Sequence, residues 1–256
     1  MKLVMKIIIS PAKKMVKTDS FLPRSQPVFL NKAEELIAFL RERDFEQLSE
    51  IWQASPAITR EGQRQLADFN SAKATVPAIA TYSGIQYQYM AADLFTERAL
   101  DYSQQHLRIL SGLYGVLRPF DAVCPYRLEL KNKMIGFRDY SLYHFWGSLI
   151  HDELFKDDQV VINLASKEYA RVVKPYLKSD ERMITIDFLE KRAQGYKTIG
   201  THAKMSRGEM TRFICENQIK TPEELQAFSD FSYKFDVSVS DDNTYVFKTD
   251  FDFKRK

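Results

Sequence analysis

Four apolar runs of the chain end in small polar residues, a pattern that could build a ligand site. The runs are IIISPAK (7–13), IATYSG (79–84), RILSGLYG (108–115) and VINLAS (161–166). Ligands of open α/β sheets bind at the carboxyl ends of the strands, where small residues admit a ligand and serine hydroxyls can hold anionic oxygens. If the four runs are parallel neighbours, their ends form one pocket floor. The floor residues expected are Ser10, Ser83, Gly84, Asn163 and Ser166, beside Ser111 and Gly112. The alternative is that serine and glycine only mark turns here.

Positive charge is concentrated in two segments, although the formal net charge is only +3. Residues 104–138 contain six Lys or Arg against two acids, and residues 191–220 contain seven against two. Arginine suits bidentate phosphate contacts, and lysine acts as a compact charge. The clusters predict a basic cleft, with a solvated surface as the alternative. The candidate anion- or nucleic-acid-binding residues are Lys13, Arg108, Ser111, Gly112, Tyr114, Gly115, Arg118, Arg127, Lys204, Arg207 and Arg212.

The segment AKMSRGEMTRFICEN (203–217) has the spacing of a helix that presents Lys204 and Arg207 on one face. Gly208 weakens such a helix, so its small size is expected to allow close approach of a neighbouring element or of a phosphate. Several tyrosines near the glycine-containing turns, Tyr114 among them, could stack a base or pack in the core.

Familiar catalytic and metal-binding motifs are missing from the sequence. It contains no GxGxxG, GxxxxGK[ST], GxSxG, HExxH or CxxC pattern, and its four histidines have no metal-ligand spacing. Glu129 is the most notable acid/base candidate, but a carboxylate beside Arg127 is more often an ion pair. We expect no metal site and no cofactor, and whether a reaction is catalysed stays open.

The remaining patterns predict the elements that would carry these residues. Apolar runs over 6–10, 159–164 and 183–188 predict buried strands, while 202–217 has helical spacing. Alternation in 233–239 and 244–248 predicts a terminal hairpin. We expect an α/β fold: a single body with a mixed, largely parallel central sheet flanked by helices, plus a C-terminal β-hairpin. The 256 residues fit one domain.

Cellular context follows from what the composition excludes. No run approaches the roughly 20 apolar residues that span a bilayer, and the apolar stretch at the start is too short for a signal peptide. Only two cysteines occur, which fits a reducing compartment. We therefore expect a cytoplasmic protein with no membrane partner.

Six segments of the chain form a distinctive ordered set: ISPAK (9–13), HLRILSGLYGVLRPFD (106–121), PYRLE (125–129), YHFWG (143–147), VINLASKEY (161–169) and AKMSRGEMTRFICEN (203–217). Together they closely resemble the YaaA family, also called UPF0246 or DUF328. The resemblance runs in order from about Met5, the usual start in the family, so residues 1–4 are expected to be an N-terminal extension of a single YaaA-like domain spanning 1–256.

The resemblance implies a bacterial protein that protects against hydrogen peroxide by limiting damage from unincorporated iron. It also implies DNA binding through a basic cleft and a helix-hairpin-helix-like element. Because the basic clusters would contact phosphates, we expect this binding to be largely independent of sequence. Carried onto this sequence, the hairpin of that element falls at residues 110–115. Tyr114 adds a residue between the glycines and Pro119 shortens the second helix, so a strand followed by a glycine loop fits the segment about as well.

Two functions therefore remain open. One is a DNA-binding stress protein whose basic clusters contact phosphates. The other is an enzyme or binding protein for a nucleotide-like or nucleobase-like anion at the strand ends. In that second function Arg118 and Arg127 would clamp the anion and Tyr114 would stack on the base.

Overall fold

The computed structural model of the chain describes residues 5–18, 20–138 and 140–253. At the centre of its fold three buried strands, Met5–Ile9, Leu107–Ser111 and Val160–Leu164, lie parallel and adjacent. The expected N-terminal extension, residues 1–4, lies outside the described residues. The strands are β1 (Met5–Ile9), β2 (Lys14–Met15), β3 (Val76–Pro77), β4 (Tyr82–Ser83), β5 (Leu107–Ser111), β6 (Gly115–Leu117), β7 (Ala122–Val123), β8 (Val160–Leu164), β9 (Arg182–Arg192), β10 (Gly195–Lys197), β11 (Lys234–Phe235) and β12 (Thr244–Thr249).

Helices connect these strands and cover the sheet. The α-helices are α1 (Leu30–Arg41), α2 (Phe45–Trp52), α3 (Pro56–Asp68), α4 (Ala78–Thr81), α5 (Ile85–Met90), α6 (Glu97–His106), α7 (Leu142–Trp146), α8 (Leu149–Leu154), α9 (Lys167–Ala170) and α10 (Gly200–Asn217). Short 3₁₀ helices occur at Ser71–Lys73, Ala92–Leu94, Lys174–Tyr176, Pro222–Ala227 and Asp230–Ser232.

The central sheet has the strand order β11-β12-β9-β8-β1-β5-β6, with β10 also paired to β9. The pairs β1–β5, β1–β8, β8–β9 and β9–β12 are parallel, whereas the edge pairs β5–β6, β9–β10 and β11–β12 are antiparallel. The central strands are apolar along most of their length because helices cover both faces of a parallel sheet. The predicted α/β class, the mixed and largely parallel sheet and the C-terminal antiparallel pair are confirmed.

Three of the four serine-terminated runs form neighbouring parallel strands, β8, β1 and β5, whose carboxyl ends lie at the same end of the sheet. Ile9 pairs with Leu164 on one side and with Ile109 on the other, so β8, β1 and β5 end together. Parallel neighbours of this kind were expected for these three runs.

The fourth run, residues 79–84, is not a strand of this sheet. Ala78–Thr81 forms a helical turn that follows Pro77, and the Thr81 hydroxyl donates to the Pro77 carbonyl at 2.8 Å. A short apolar run fits a helix turn or a strand equally well, and the strand prediction was wrong for this reason. Tyr82–Ser83 then pairs antiparallel with Lys14–Met15, and this small ladder places Ser83 beside the end of β1.

The prediction of a helix-hairpin-helix hairpin at residues 110–115 is also wrong, because β5 and β6 form a β-hairpin there. Ser111 pairs with Gly115, which has φ +70°, a left-handed conformation that favours glycine. A Cβ on Gly115 would lie 2.7 Å from the Trp146 ring, so the tight turn and the packing both require glycine. The alternative of a strand followed by a glycine loop is the one that the structure shows.

Candidate anion-binding cleft

A cleft of about 540 Å³ opens where β1 and β8 end. Its walls come from the segment after β1, from α5, from the segment before α7, from α9 and from α10. The lining residues are Ser10–Lys14, Ser83–Tyr87, Tyr126–Glu129, Lys131, Ser166, Glu168, Tyr169, Lys204 and Arg207. The cleft therefore gathers residues that are far apart in the chain.

Hydrogen bonds between the strand ends fix the floor of the cleft. The Ser166 backbone N–H donates to the Ser10 hydroxyl at 2.8 Å, and the Tyr87 hydroxyl donates to the Ser10 carbonyl at 3.0 Å. Asn163 lies one layer below, where its side chain accepts from the Ala165 N–H at 3.0 Å and shapes the turn. Ser10 and Ser166 thus line the cleft, while Asn163 supports the loop that holds Ser166.

The position of α10 brings two cations to the rim. Gly208 packs against α5 so closely that a Cβ there would lie 2.7 Å from the Tyr89 Cβ and 2.9 Å from the Met90 backbone nitrogen. This close approach of a neighbouring helix is one of the two roles predicted for Gly208. Because Lys204 and Arg207 lie on the turn just before Gly208, the contact directs them over the cleft.

Glu129 ties together the cations on the opposite wall. Its carboxylate lies 3.0 Å from the Lys13 ammonium, 3.3 Å from that of Lys131 and 4.0 Å from the Arg127 guanidinium. The ion pair expected between Glu129 and Arg127 is present at the longest of these distances. Counting all lining residues, the cleft holds six cationic side chains and two carboxylates, so its charge is positive.

Four buried polar atoms on the cleft have no hydrogen-bond partner among the described residues. They are Gln86 Nε2, Arg127 Nε, Glu168 Oε1 and Arg207 Nε. Burial lowers the pKa of Arg207 and raises the pKa of Glu168. An unpaired buried polar group costs about 1–3 kcal/mol, so each of these four atoms calls for a partner such as an ordered water or a ligand.

A tyrosine network closes the cleft from below. The Tyr126 hydroxyl is hydrogen-bonded to those of Tyr82 at 2.8 Å and Ser111 at 2.7 Å. Burial raises the pKa of Tyr126 to about 12, so its hydroxyl stays protonated near neutral pH. Ser111 is fully buried and also accepts from the Tyr114 backbone N–H, so it anchors Tyr126 and does not face the cleft.

Three of the predicted arginines lie away from the cleft because other groups hold them. Arg108 is buried and donates to the Leu107 carbonyl at 2.8 Å. Arg118 binds the buried Asp121 carboxylate at 3.0 Å and the Gln26 carbonyl at 2.8 Å. Arg212 pairs with Glu216 at 2.9 Å on another face of α10.

Tyr114 and its neighbouring glycines form part of the core. The Tyr114 side chain is 1% exposed, and its hydroxyl accepts from the Cys124 N–H, so it has no open face for a base. The Gly112 carbonyl accepts from the Trp146 indole N–H at 3.1 Å, and Gly115 packs on the same ring. Of the predicted residues, those on the cleft are Lys13, Arg127, Lys204, Arg207, Ser10, Ser83, Gly84 and Ser166.

Sequence reasoning missed Glu168, Tyr169, Gln86 and Lys131 as cleft residues. Glu168 and Tyr169 follow the Ser166 strand end directly, so extending that pattern by three residues would have found them. Gln86 carries no such signal, because α5 is positioned by its tertiary contact with α10.

The described residues contain no group of three or more His, Cys, Asp or Glu side chains placed to hold a metal ion. Within residues 5–18, 20–138 and 140–253, every helix is too short or too polar to cross a membrane.

Comparison with known proteins gives the family. The family described as "Peroxide stress protein YaaA" matches residues 5–239. A UPF0246 protein of Lactobacillus helveticus is 58% identical over 252 residues, covering 98% of this chain and 100% of that protein. UPF0246 proteins of Lactobacillus acidophilus, at 58% identity with the same coverage, and of Agathobacter rectalis, at 40% identity over 95% of this chain and 98% of that protein, are also similar. The chain therefore belongs to the YaaA family of peroxide stress proteins.

Proposed function

We propose that this protein binds DNA through the cleft, which receives one unpaired nucleotide of a strand. The observation that carries the proposal is the convergence of unpartnered buried polar atoms on a positively charged cleft. Lys204 and Arg207 supply charge at the rim, and the Asp187 carboxylate is near enough to Arg207 to stabilise its ionised form. Phosphates would bind there, since most of the affinity for nucleic acid comes from such contacts.

The depth of the cleft favours an unpaired nucleotide over an intact duplex. Phosphates of a duplex would reach rim cations such as Lys13 and Lys204, but not the buried amide of Gln86 or the carboxylate of Glu168. A base that leaves the stack could reach both, at a cost of a few kcal/mol for unstacking that single-stranded DNA largely avoids. Binding is therefore expected to be stronger for single strands than for duplexes, with little dependence on sequence.

A free nucleotide is the second candidate ligand. The volume of about 540 Å³ lies within the range of roughly 300–1,000 Å³ typical of small-molecule sites. A mononucleotide would use the same cations for its phosphate but would lack the contacts of a longer backbone. The two candidates differ in whether affinity grows with strand length.

Binding titrations with a pair of α10 variants test the proposal. Arg207→Gln removes a cleft charge, whereas Arg212→Gln removes an equal charge from another face of the same helix. We expect Arg207→Gln to weaken binding of a fluorescent single-stranded oligonucleotide roughly tenfold or more, and to lower the salt slope by about 0.7. Arg212→Gln should match the wild type.

The outcome of the same titrations separates the alternatives. Equal affinities in both variants would contradict the cleft as the binding site. Binding of a mononucleotide as tight as that of an oligonucleotide, with no strand-length dependence, would favour the free-nucleotide function.

The role in peroxide stress follows from the same binding in our proposal. A strand seated in the cleft would be shielded from radicals that iron and hydrogen peroxide generate. The wild-type protein should therefore reduce cleavage of a single-stranded oligonucleotide by iron(II) and peroxide, and Arg207→Gln should protect less. Equal protection by both proteins would contradict this link.

A further inference from the structure

The Glu168 carboxylate lies in a cleft whose other charged groups are mostly cations. Phosphate binding gains nothing from a carboxylate, because like charges repel. If the cleft held phosphate alone, a neutral side chain at this position would serve better. The position of Glu168 therefore indicates a ligand group that donates a hydrogen bond to its carboxylate.

The two carboxylates of the cleft have different surroundings. Glu129 is bound by Lys13 and Lys131, so its oxygens are occupied by protein cations. Glu168 has no cation within ion-pair distance among the described residues, and its carboxylate takes one hydrogen bond from the Lys131 backbone. Its other oxygen, Oε1, is buried without a partner. One acceptor of Glu168 thus lacks a protein partner.

Backbone contacts hold Glu168 in place. The residue belongs to α9, which begins directly after the floor residue Ser166, and its carbonyl accepts from the Tyr143 hydroxyl at 3.2 Å. Donors line the same cleft, namely the Gln86 amide and the Arg127 guanidinium, each with an unpartnered buried nitrogen. The cleft therefore offers one acceptor together with fixed donors.

Nucleobases are the chemical class that matches this set. Their Watson–Crick edges carry an N–H donor beside a carbonyl or ring-nitrogen acceptor, whereas a sugar phosphate lacks such an edge. Resting on the proposed function, we infer that Glu168 recognises the base by accepting an N–H hydrogen bond, while Gln86 and Arg127 donate to the base's acceptors. Glu168 would then distinguish a nucleotide from the sugar phosphate that carries no base.

The test compares ligands with and without a base on variants of Glu168. The probes are guanosine and adenosine 5′-monophosphate and, lacking the base, ribose 5-phosphate, titrated by calorimetry on the full-length protein. The wild type should bind the tighter of the two nucleotides at least roughly tenfold better than ribose 5-phosphate. Glu168→Leu should abolish that preference, yet bind ribose 5-phosphate as well as the wild type or better, because a repelling charge is gone.

Two further variants keep the result interpretable. Glu168→Gln retains an acceptor oxygen and should keep part of the preference for nucleotides over ribose 5-phosphate. This variant gives a second test of Glu168 in case Glu168→Leu does not fold. Glu209→Leu replaces a partly buried carboxyl of α10 outside the cleft and should leave the preference intact.

Failure of this inference differs from failure of the proposed function. If nucleotides bind but Glu168→Leu and Glu168→Gln both keep the full preference, the role of Glu168 is overturned and the cleft remains a nucleotide site. If neither nucleotides nor oligonucleotides bind the wild type, both proposals are overturned.

Discussion

Replacing Gly208 with alanine tests how α10 is positioned over the cleft. Helix propensity alone predicts that alanine stabilises the helix by about 1 kcal/mol. Packing predicts the opposite, because the added methyl would meet the Tyr89 Cβ at 2.7 Å and the Met90 nitrogen at 2.9 Å, with the Gln86 carbonyl oxygen closer still. These are atoms of or next to the α5 backbone, which cannot step aside as the tip of a flexible side chain could.

The magnitude follows from the two opposing effects. Overpacking typically costs about 1–3 kcal/mol, and a rigid neighbour places this site in the upper part of that range. After the propensity gain, the free energy of unfolding should fall by about 1–2 kcal/mol. At about 2–4 °C per kcal/mol for a chain of this size, Tm should fall by about 2–8 °C.

Thermal unfolding followed by circular dichroism measures this shift. Gly200→Ala is the matched control, because it lies in the same helix and its Cβ would meet nothing within 4 Å. Its Tm should be unchanged or slightly higher. Below the transition, Gly208→Ala should also bind a single-stranded oligonucleotide more weakly, since Lys204 and Arg207 move with α10. A rise in Tm for Gly208→Ala, equal to that of Gly200→Ala, would refute the packing argument.

Three further outcomes follow from the structure. Burial raises the pKa of Glu168 above its ordinary 4.5, so the ionised carboxylate destabilises the folded state. Glu168→Gln should therefore have a higher Tm than the wild type at neutral pH, and this difference should vanish below about pH 4, where the carboxyl is protonated in both states. A Tm difference that stays constant across a pH series would contradict this. Arg118→Ala should lower the free energy of unfolding by about 1–3 kcal/mol in urea titrations, because the buried Asp121 carboxylate loses its cation and keeps only the Ser25 hydroxyl and the backbone N–H of residue 118. The substitution should not change oligonucleotide affinity; weaker binding by the folded variant would restore Arg118 as a contact. Gly115→Ala should cost about 1–3 kcal/mol or more in the same titrations, since φ is +70° and Trp146 fills the space, and a neutral effect would contradict that geometry.

The strand-end pattern shows how far sequence reasoning reaches. Ser10 and Ser166 follow apolar runs with strong strand signals, and parallel pairing alone brings them together. Ser83 reaches the same place by another route, a short antiparallel ladder to the segment after β1, which periodicity could not indicate. The sequence pattern therefore predicted Ser10 and Ser166 through the correct strand pairing, whereas Ser83 lies on the cleft because of a pairing that the sequence did not indicate.

Charged residues were the least predictable part of the site. Arg118 and Arg207 look alike in sequence, each within a basic cluster, yet a buried carboxylate holds Arg118 whereas Arg207 lines the cleft. Whether an arginine forms an ion pair with a carboxylate depends on contacts between segments that are distant in the sequence. The role of Gly112 was misplaced for a similar reason, because its carbonyl is bound by Trp146, more than thirty residues later.

Photo-cross-linking followed by peptide mapping tests the central claim most directly. A single-stranded oligonucleotide carrying one 4-thiothymidine would be irradiated with the wild-type protein, and the labelled peptides identified by mass spectrometry. We predict cross-links within residues 83–87, 126–131 and 166–169, the walls of the cleft. Cross-links concentrated instead on the outer face of α10 around Arg212, or on residues 20–26 near Arg118, would contradict binding of a nucleotide in the cleft.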